Sequence, residues 1–298
     1  MISINIPVYN IEVGSLVLQL IKQAKELDIA FEIRVYDDCS KKEMKIANRI
    51  ISDYSNVIYL ELEKNLGRSA IRNKMGFESQ FEYLLFIDAD SKIVVDNYLE
   101  TFIKNAQPNK VLCGGTEYNK TKPPNPEKLL RWFYGKSREA ISAEIRNNEK
   151  GFIITSNNFF IEKKVFRKIH FREDIKNYGH EDTLLGYDLY QGRIEIFNLD
   201  NPLEHTGLED SRVFIYKTKI ALETLFQITN NLLQNEIKFV EQVHFLNRYS
   251  KITKYIPVLF FRIFYKISHS IIEKNLMGKK PGLFWFDIYR LGYYSTLK

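Results

Sequence analysis

The chain has 298 residues, 45% hydrophobic and 27% charged, which fits a globular protein and excludes a disordered or low-complexity one. That length suffices for one large α/β domain, or for one domain with a substantial appendix. The net charge of +6 is uneven: residues 211–298 carry 14 Lys and Arg against 5 Asp and Glu, whereas residues 1–210 carry 29 against 32. The two cysteines, Cys39 and Cys113, lack the spacing of a zinc site or a redox pair, so a reducing, cytoplasmic compartment is expected. Met1 leads straight into a strand pattern, and no cleavable leader is expected. The longest apolar candidate for a membrane span, Ile256 to Tyr265, is short and contains Arg262, so no transmembrane helix is expected.

Strand and helix patterns alternate from the start. Ile2 to Ile6 reads as a strand closed by Pro7, and Val13 to Leu27 has apolar residues at helical spacing. Phe31 to Tyr36 is a second strand ending in Asp37-Asp38-Cys39-Ser40, where Ser40 and Glu43 form a capping box for the next helix. A strand at Val57 to Leu62, a helix at Arg68 to Phe77 and a strand at Tyr83 to Ile87 follow. A helix from about Asp96 to Ala106 and a strand at Val111 to Cys113 complete the series. This rhythm predicts a doubly wound, mostly parallel α/β sheet. Gly114-Gly115 and Pro123-Pro124-Asn125-Pro126 interrupt it. They lead to a surface-like helical segment, Glu127 to Glu149, and a strand-like run, Phe152 to Ile161. From Arg212 onward the spacing is helical, which places a boundary near residue 210.

Four local features carry chemistry. Ile4 to Asn10 is a strand running into a loop, and Val35 to Ser40 is a strand ending in two acids. Asn65 to Asn73 is a loop running into a helix with two arginines, and Asp88-Ala89-Asp90 closes the most apolar strand. Each has an ordinary reading as well: a strand stop, a solvated turn, a helix start, a loop. Carboxylates two apart at the end of a strand emerge on one side, where open α/β sheets bind ligands, and suit a divalent cation holding phosphates. Neither G-x-G-x-x-G nor G-x-x-x-x-G-K-[ST] occurs, so phosphates must be met by metal and arginine rather than by a glycine-rich loop.

In this order, IPVYN, YDDCS, NLGRSAIRN and FIDAD resemble family 2 of the glycosyltransferases. The resemblance continues through Ser156 to Phe160, Gly179 to Gly186 and Leu203 to Gly207, and so covers about residues 1–210. It implies a GT-A fold, a Rossmann-like, mostly parallel sheet with helices on both faces. Residues 1–115 would form the nucleotide-binding half, 116–210 the acceptor half, and 211–298 a basic, aromatic-rich helical extension. The resemblance also implies roles. Pro7, Val8 and Tyr9 would line the base pocket of a nucleotide-sugar donor, and Asp37 or Asp38 would bind the base. Asn65, Arg68 and Arg72 would serve the nucleotide side, and Asp88 the ribose and the metal shell. Asp90, with Asp88 and His205, would hold Mn2+ or Mg2+. Glu181-Asp182 would supply the catalytic base, Asp182. It opens a helical stretch whose dipole lowers its pKa, so a neighbouring acid such as Glu181 has to raise it. As an isolated pair, Glu181-Asp182 also reads as helix capping, and His205 as a packed histidine.

The implied reaction is metal-dependent, inverting transfer from a nucleoside-diphosphate sugar, a UDP-sugar, to a hydroxyl of a glycan or lipid-linked acceptor in surface glycan assembly. The alternatives are a sugar-phosphate nucleotidylyltransferase and a non-catalytic glycan- or membrane-binding protein of the same fold. Lys251 to Lys280 interleaves cations with aromatics, which fits either an anionic membrane surface or a helical subdomain packed on the catalytic part. No nucleic-acid-binding motif accompanies it. Peripheral attachment to the inner face of the cell membrane is the expectation. The sugar, the acceptor and the oligomeric state are not encoded in any linear motif.

Overall fold

The computed structural model describes residues 1–148 and 154–297. The strands are β1 (Ile2–Val8), β2 (Phe31–Asp37), β3 (Val57–Glu61), β4 (Tyr83–Ile87), β5 (Ser91–Ile93), β6 (Lys110–Cys113), β7 (Thr116–Glu117), β8 (Asn158–Glu162), β9 (Glu195–Asn198) and β10 (Leu203–His205). The helices begin with α1 (Gly14–Glu26), α2 (Lys42–Arg49), α3 (Arg68–Glu78), α4 (Tyr98–Asn105), α5 (Leu129–Tyr134), α6 (Ala143–Asn148) and α7 (Lys163–Lys168). They continue with α8 (Glu181–Gln191), α9 (Ser211–Gln227), α10 (Ile237–Gln242), α11 (His244–Thr253), α12 (Val258–Leu276) and α13 (Leu283–Thr296).

Two compact units make up the chain. One comprises residues 1–117, 140–174 and 181–207, and the other 118–139, 175–180 and 208–298. The first is built on a seven-stranded sheet of order β3-β2-β1-β4-β8-β6-β9, parallel except where β8 runs against β4 and β6. A small sheet, β5-β10-β7, joins it beyond the end of β4. Apolar side chains cover both faces of the large sheet. In β4, Leu85 and Ile87 enter one core with Val17, Leu20 and Phe102, while Leu84 and Phe86 enter the other with Ile71, Met75 and Phe166. This is the period-two alternation of a strand buried on both faces, and it explains why β4 reads as a continuous apolar run.

Three local expectations are corrected. β1 continues through Pro7 to Val8, because its pairing with β4 stops at Asn5 and no ladder bond on that side needs the missing proline N–H. Ser40 does not cap α2: its hydroxyl accepts the Asn10 N–H at 2.8 Å, and α2 starts without a side-chain cap. Residues 127–148 are not surface-like throughout, since Leu129, Leu130 and Trp132 of α5 are buried. Glu149, Phe152 and Ile153, within two of the expected segments, lie outside the described residues.

In the second unit, Leu130 of α5 packs with Ile215 of α9, Ile272 and Leu276 of α12, and Phe286 and Tyr289 of α13. Residues 118–139, expected in the acceptor half, therefore share an apolar core with the helical tail. The chain passes into this unit for the last time at 207/208.

Candidate active site

The C-terminal ends of β1, β2 and β4 are tied together by polar contacts. Beyond β1, the Asn10 side chain accepts the Lys41 N–H at 2.8 Å, while its own backbone N–H donates to Ser40. Asn10 and Cys39 both have left-handed backbone, at φ 56° and 65°, in these two loops. Such conformations in non-glycine residues gather where the surrounding structure over-determines them, often at ligand sites. Val8 is buried, and Tyr9, 58% exposed, stands clear at the strand end beside the half-buried Pro7. Asp37 is fully buried and accepts the Ser40 N–H at 2.6 Å, closing the turn. Asp38 accepts the backbone N–H groups of Leu66 at 2.6 Å and Gly67 at 3.1 Å, and Asn65 donates to the Asp38 carbonyl at 2.9 Å. Burial pushes the Asp38 pKa up against these two amides. Both acids thus shape the loops around the strand ends.

Asp88 continues the face of β4 that carries Leu84 and Phe86, the face covered by α3. There it meets Arg72, 2% exposed, in a short hydrogen-bonded ion pair, and Arg68 at 3.4 Å. Arg68 also reaches Glu181 through Nε at 2.9 Å. One arginine therefore bridges the end of β4 and the start of α8. Arg72 is itself steadied by the Arg68 carbonyl at 3.0 Å and lies over the Phe171 ring at 5.6 Å. On the other side of the strand, Ala89 lines a cavity of about 510 Å³ with Asn10, Ser15, Gln19, Lys92 and Thr206.

Asp90 lies in the turn beyond β4, so strand alternation does not align it with Asp88. The register of the small sheet decides its partner. β10 pairs antiparallel with β5 so that His205 stands opposite Ser91, and His205 Nδ1 comes 3.4 Å from Asp90 Oδ2. Thr206 donates to the Asp90 carbonyl through both N–H and hydroxyl at 2.8 Å. A Cβ on Gly207 would lie 2.2 Å from Asp90 Oδ2, so only glycine allows this approach. Burial works to raise the Asp90 pKa, but the His205 hydrogen bond and charge, with Arg68, outweigh it and hold the carboxyl below its ordinary value.

An anionic oxygen and an imidazole nitrogen at this spacing suit a divalent cation, which can be held by one or two side chains and complete its shell with phosphate oxygens. Asp90 and His205 fit that use. Asp88, expected as a further ligand, pairs with the two arginines. Among the described residues no three His, Cys, Asp or Glu side chains gather as a ligand set.

Asp182 lies in the first turn of α8, half-buried, with its carboxylate accepting the Thr183 N–H at 2.7 Å. The helix start does not keep its pKa low. Burial first, and the Glu181 charge second, push it up to about 6 against the pull of Thr183 and Arg68. Asn157 and Asn158 have different tasks: the Asn157 carbonyl accepts the Asp88 N–H at 3.1 Å, while the buried Asn158 amide ties Gly115 to Asn201. Gly207 closes the Leu203 to Gly207 stretch of the resemblance but was given no role there, and Arg146 lay in no motif. Arg146 is 8% exposed and binds the Asn198 side chain and the Leu199 carbonyl, closing the backbone around Gly114-Gly115.

The profile of the family described as Glycosyl transferase family 2 matches residues 3–170. No curated protein matches the chain. Among solved structures, the mannosyltransferase PcManGT from Pyrobaculum calidifontis, in complex with GDP-Man and Mn2+, is 13% identical. It superposes with a TM-score of 0.58 over 100% of this chain and 86% of that one. S. aureus TarS 1-349 in complex with UDP is 19% identical, with a TM-score of 0.50 over 98% of this chain and 89% of that one. A longer TarS structure is 18% identical, with a TM-score of 0.52 over 97% of this chain and 54% of that one. At such identities these structures show a common fold, the GT-A arrangement of a mostly parallel sheet between helices. The family match covers more than half of the residues: the chain belongs to glycosyl transferase family 2, whose reaction is sugar transfer.

Proposed function

We propose that the chain moves a sugar from a nucleoside diphosphate, with UDP as carrier, to a hydroxyl of a glycan or lipid-linked acceptor, inverting the anomeric carbon. The observation that carries this reading is the run Asp182–Glu181–Arg68–Asp88, which links a carboxyl of raised pKa to the end of β4, beyond which Asp90 meets His205 of β10. The solved relatives hold UDP in one case and GDP-Man with Mn2+ in another, which supports a nucleotide-sugar donor and a divalent cation here.

Removing the acceptor proton is the task of Asp182. A carboxyl with a pKa of about 6 is ionised at neutral pH and more basic than an ordinary aspartate, and such a base contributes about 10²–10⁴-fold in rate. Glu181 supplies part of the charge that keeps it basic, and Arg68 holds Glu181 in place. Tyr9 offers an exposed ring for the base, while Asp37 and Asp38 fix the loops that frame it. Asp90 and His205 are the residues to hold Mn2+ or Mg2+, which when bound supplies Lewis-acid neutralisation of the departing diphosphate. Assembly of a surface glycan is the role this reaction serves.

The test is a screen of UDP- and GDP-sugars with Mn2+ for transfer or slow hydrolysis, followed by NMR of the product anomer. An α-linked donor is expected to give a β-glycoside, and retention of configuration overturns the assignment of Asp182. Transfer by Asp182→Asn at the wild-type rate does the same.

A further inference from the structure

Helix α12 has two apolar faces. One carries Phe261, Ile272 and Leu276 into the interior of the second unit. The other is a ridge at four-residue spacing, Leu259, Ile263, Ile267 and Ile271, left 59%, 49%, 75% and 72% exposed. Side chains four apart stack along one helix face, so the ridge is continuous over about 18 Å at 1.5 Å per residue. Phe260, 56% exposed, widens it. Single exposed apolar residues need no explanation, but a contiguous rimmed patch marks an interaction surface.

Cations rim the ridge. Lys266 and Lys274 are exposed on α12 itself, Lys251 and Lys254 precede it, and Lys279 and Lys280 follow it. Among the described residues none of these six lysines enters an ion pair. Exposed aromatics stand at both ends: Tyr255 before α12, and Phe284 and Trp285 at the start of α13. The charge excludes a second copy of this surface as the natural cover, since residues 211–298 hold 14 Lys and Arg against 5 Asp and Glu and two such faces repel. An anionic bilayer matches each part: acyl chains meet the ridge, headgroups meet the lysines along their apolar stems, and rings lie at the boundary.

We propose that the Leu259–Ile271 ridge of α12 lies in the plane of an anionic lipid surface, with Lys266 and Lys274 on the headgroups. Among the described residues no helix is long and apolar enough to cross a membrane. The contact is carried by one face of a helix whose other face is already packed. It does not depend on the catalytic reading above.

The experiment is co-sedimentation of the full chain with vesicles of phosphatidylcholine alone or with about 30% phosphatidylglycerol, across a salt series. Wild type is expected to bind the anionic vesicles and to release as salt rises through the Debye range. Lys266→Gln with Lys274→Gln should weaken binding about 25-fold, about fivefold per lysine. Ile267→Asp should abolish it. All three positions are exposed, so melting temperatures and UDP-induced shifts should be unchanged, which separates this result from any failure of the catalytic reading. Absence of wild-type binding overturns the proposal, as does equal, salt-insensitive binding to neutral vesicles. A dimer that Ile267→Asp dissolves, with no vesicle binding, assigns the ridge to a second copy instead.

Discussion

Asp182 is pushed up to about 6 from an ordinary 3.8 by burial and by Glu181. The folded chain therefore holds this proton more tightly than the unfolded chain. Its contribution favours folding fully below the unfolded pKa and is lost as pH rises through about 6. Asp182→Asn is accordingly expected to be more stable than wild type at pH 7, by on the order of 1–3 kcal/mol, with the difference vanishing near pH 4. The same variant should lose about 10²–10⁴-fold in turnover while binding donor normally, and wild-type turnover should climb with pH up to about 6. Calorimetry at two pH values together with a pH–rate profile checks both halves, and a variant no more stable than wild type at pH 7 contradicts the strained carboxyl. At Gly207, alanine would bring a methyl within 2.2 Å of Asp90 Oδ2 and drive that carboxyl from His205. Mn2+-dependent donor affinity measured by titration calorimetry should fall at least tenfold, a consequence of displacing a ligand by about 1 Å.

The loop between β3 and α3 shows what an element owes to one side chain. Gly67, at φ 83°, precedes α3, which has no side-chain cap, and Asp38 from the end of β2 receives the N–H groups of Leu66 and Gly67 just before the helix. The acceptor serves the loop just before the helix rather than its first turn, and it comes from another strand. Asp38→Ala leaves both N–H groups unpaired in a part-buried place, and about 2–4 kcal/mol of stability should be lost. Urea unfolding measures this as a lower midpoint at unchanged slope. Because this loop also presents Arg68, donor binding should weaken with it, and a variant that is stable but binds no donor would assign Asp38 to the base directly.

At the scale of the whole molecule, both faces of the seven-stranded sheet are closed by apolar side chains, and the Asp90–His205 pair lies beyond the strands. Ligands that bind only the folded chain stabilise it in proportion to the logarithm of their excess, about 2.7 kcal/mol at one hundred times Kd. For a chain of this length that corresponds to a shift of about 5 °C. UDP with Mn2+ should give such a shift, and a chelator should remove it while leaving the apo melting temperature in place. A collapse of the fold on chelation would instead assign the metal a structural part.

Much of this was legible in the linear order. Tyr83 to Ile87 announced itself because a strand with apolar layers on both faces is apolar at every position, whereas Ile2 to Ile6 and Phe31 to Tyr36 showed an alternation whose second face buries Ser3, Asn5, Glu32 and Arg34. Ser40 misled, because a serine before a helix has the same local signature whether its hydroxyl caps that helix or, as here, receives Asn10 from another loop. The sequence by itself determined the alternating α/β order, the family resemblance and the charge imbalance of the tail, all properties of neighbouring residues or of composition. Only the tertiary structure decided that Asp88 faces two arginines while Asp90 faces His205, that Gly207 must be glycine, and that residues 118–139 share a core with the tail. Those outcomes depend on strand register and on packing between segments that lie from 16 residues (Arg72 and Asp88) to more than 80 residues apart, which no local pattern encodes.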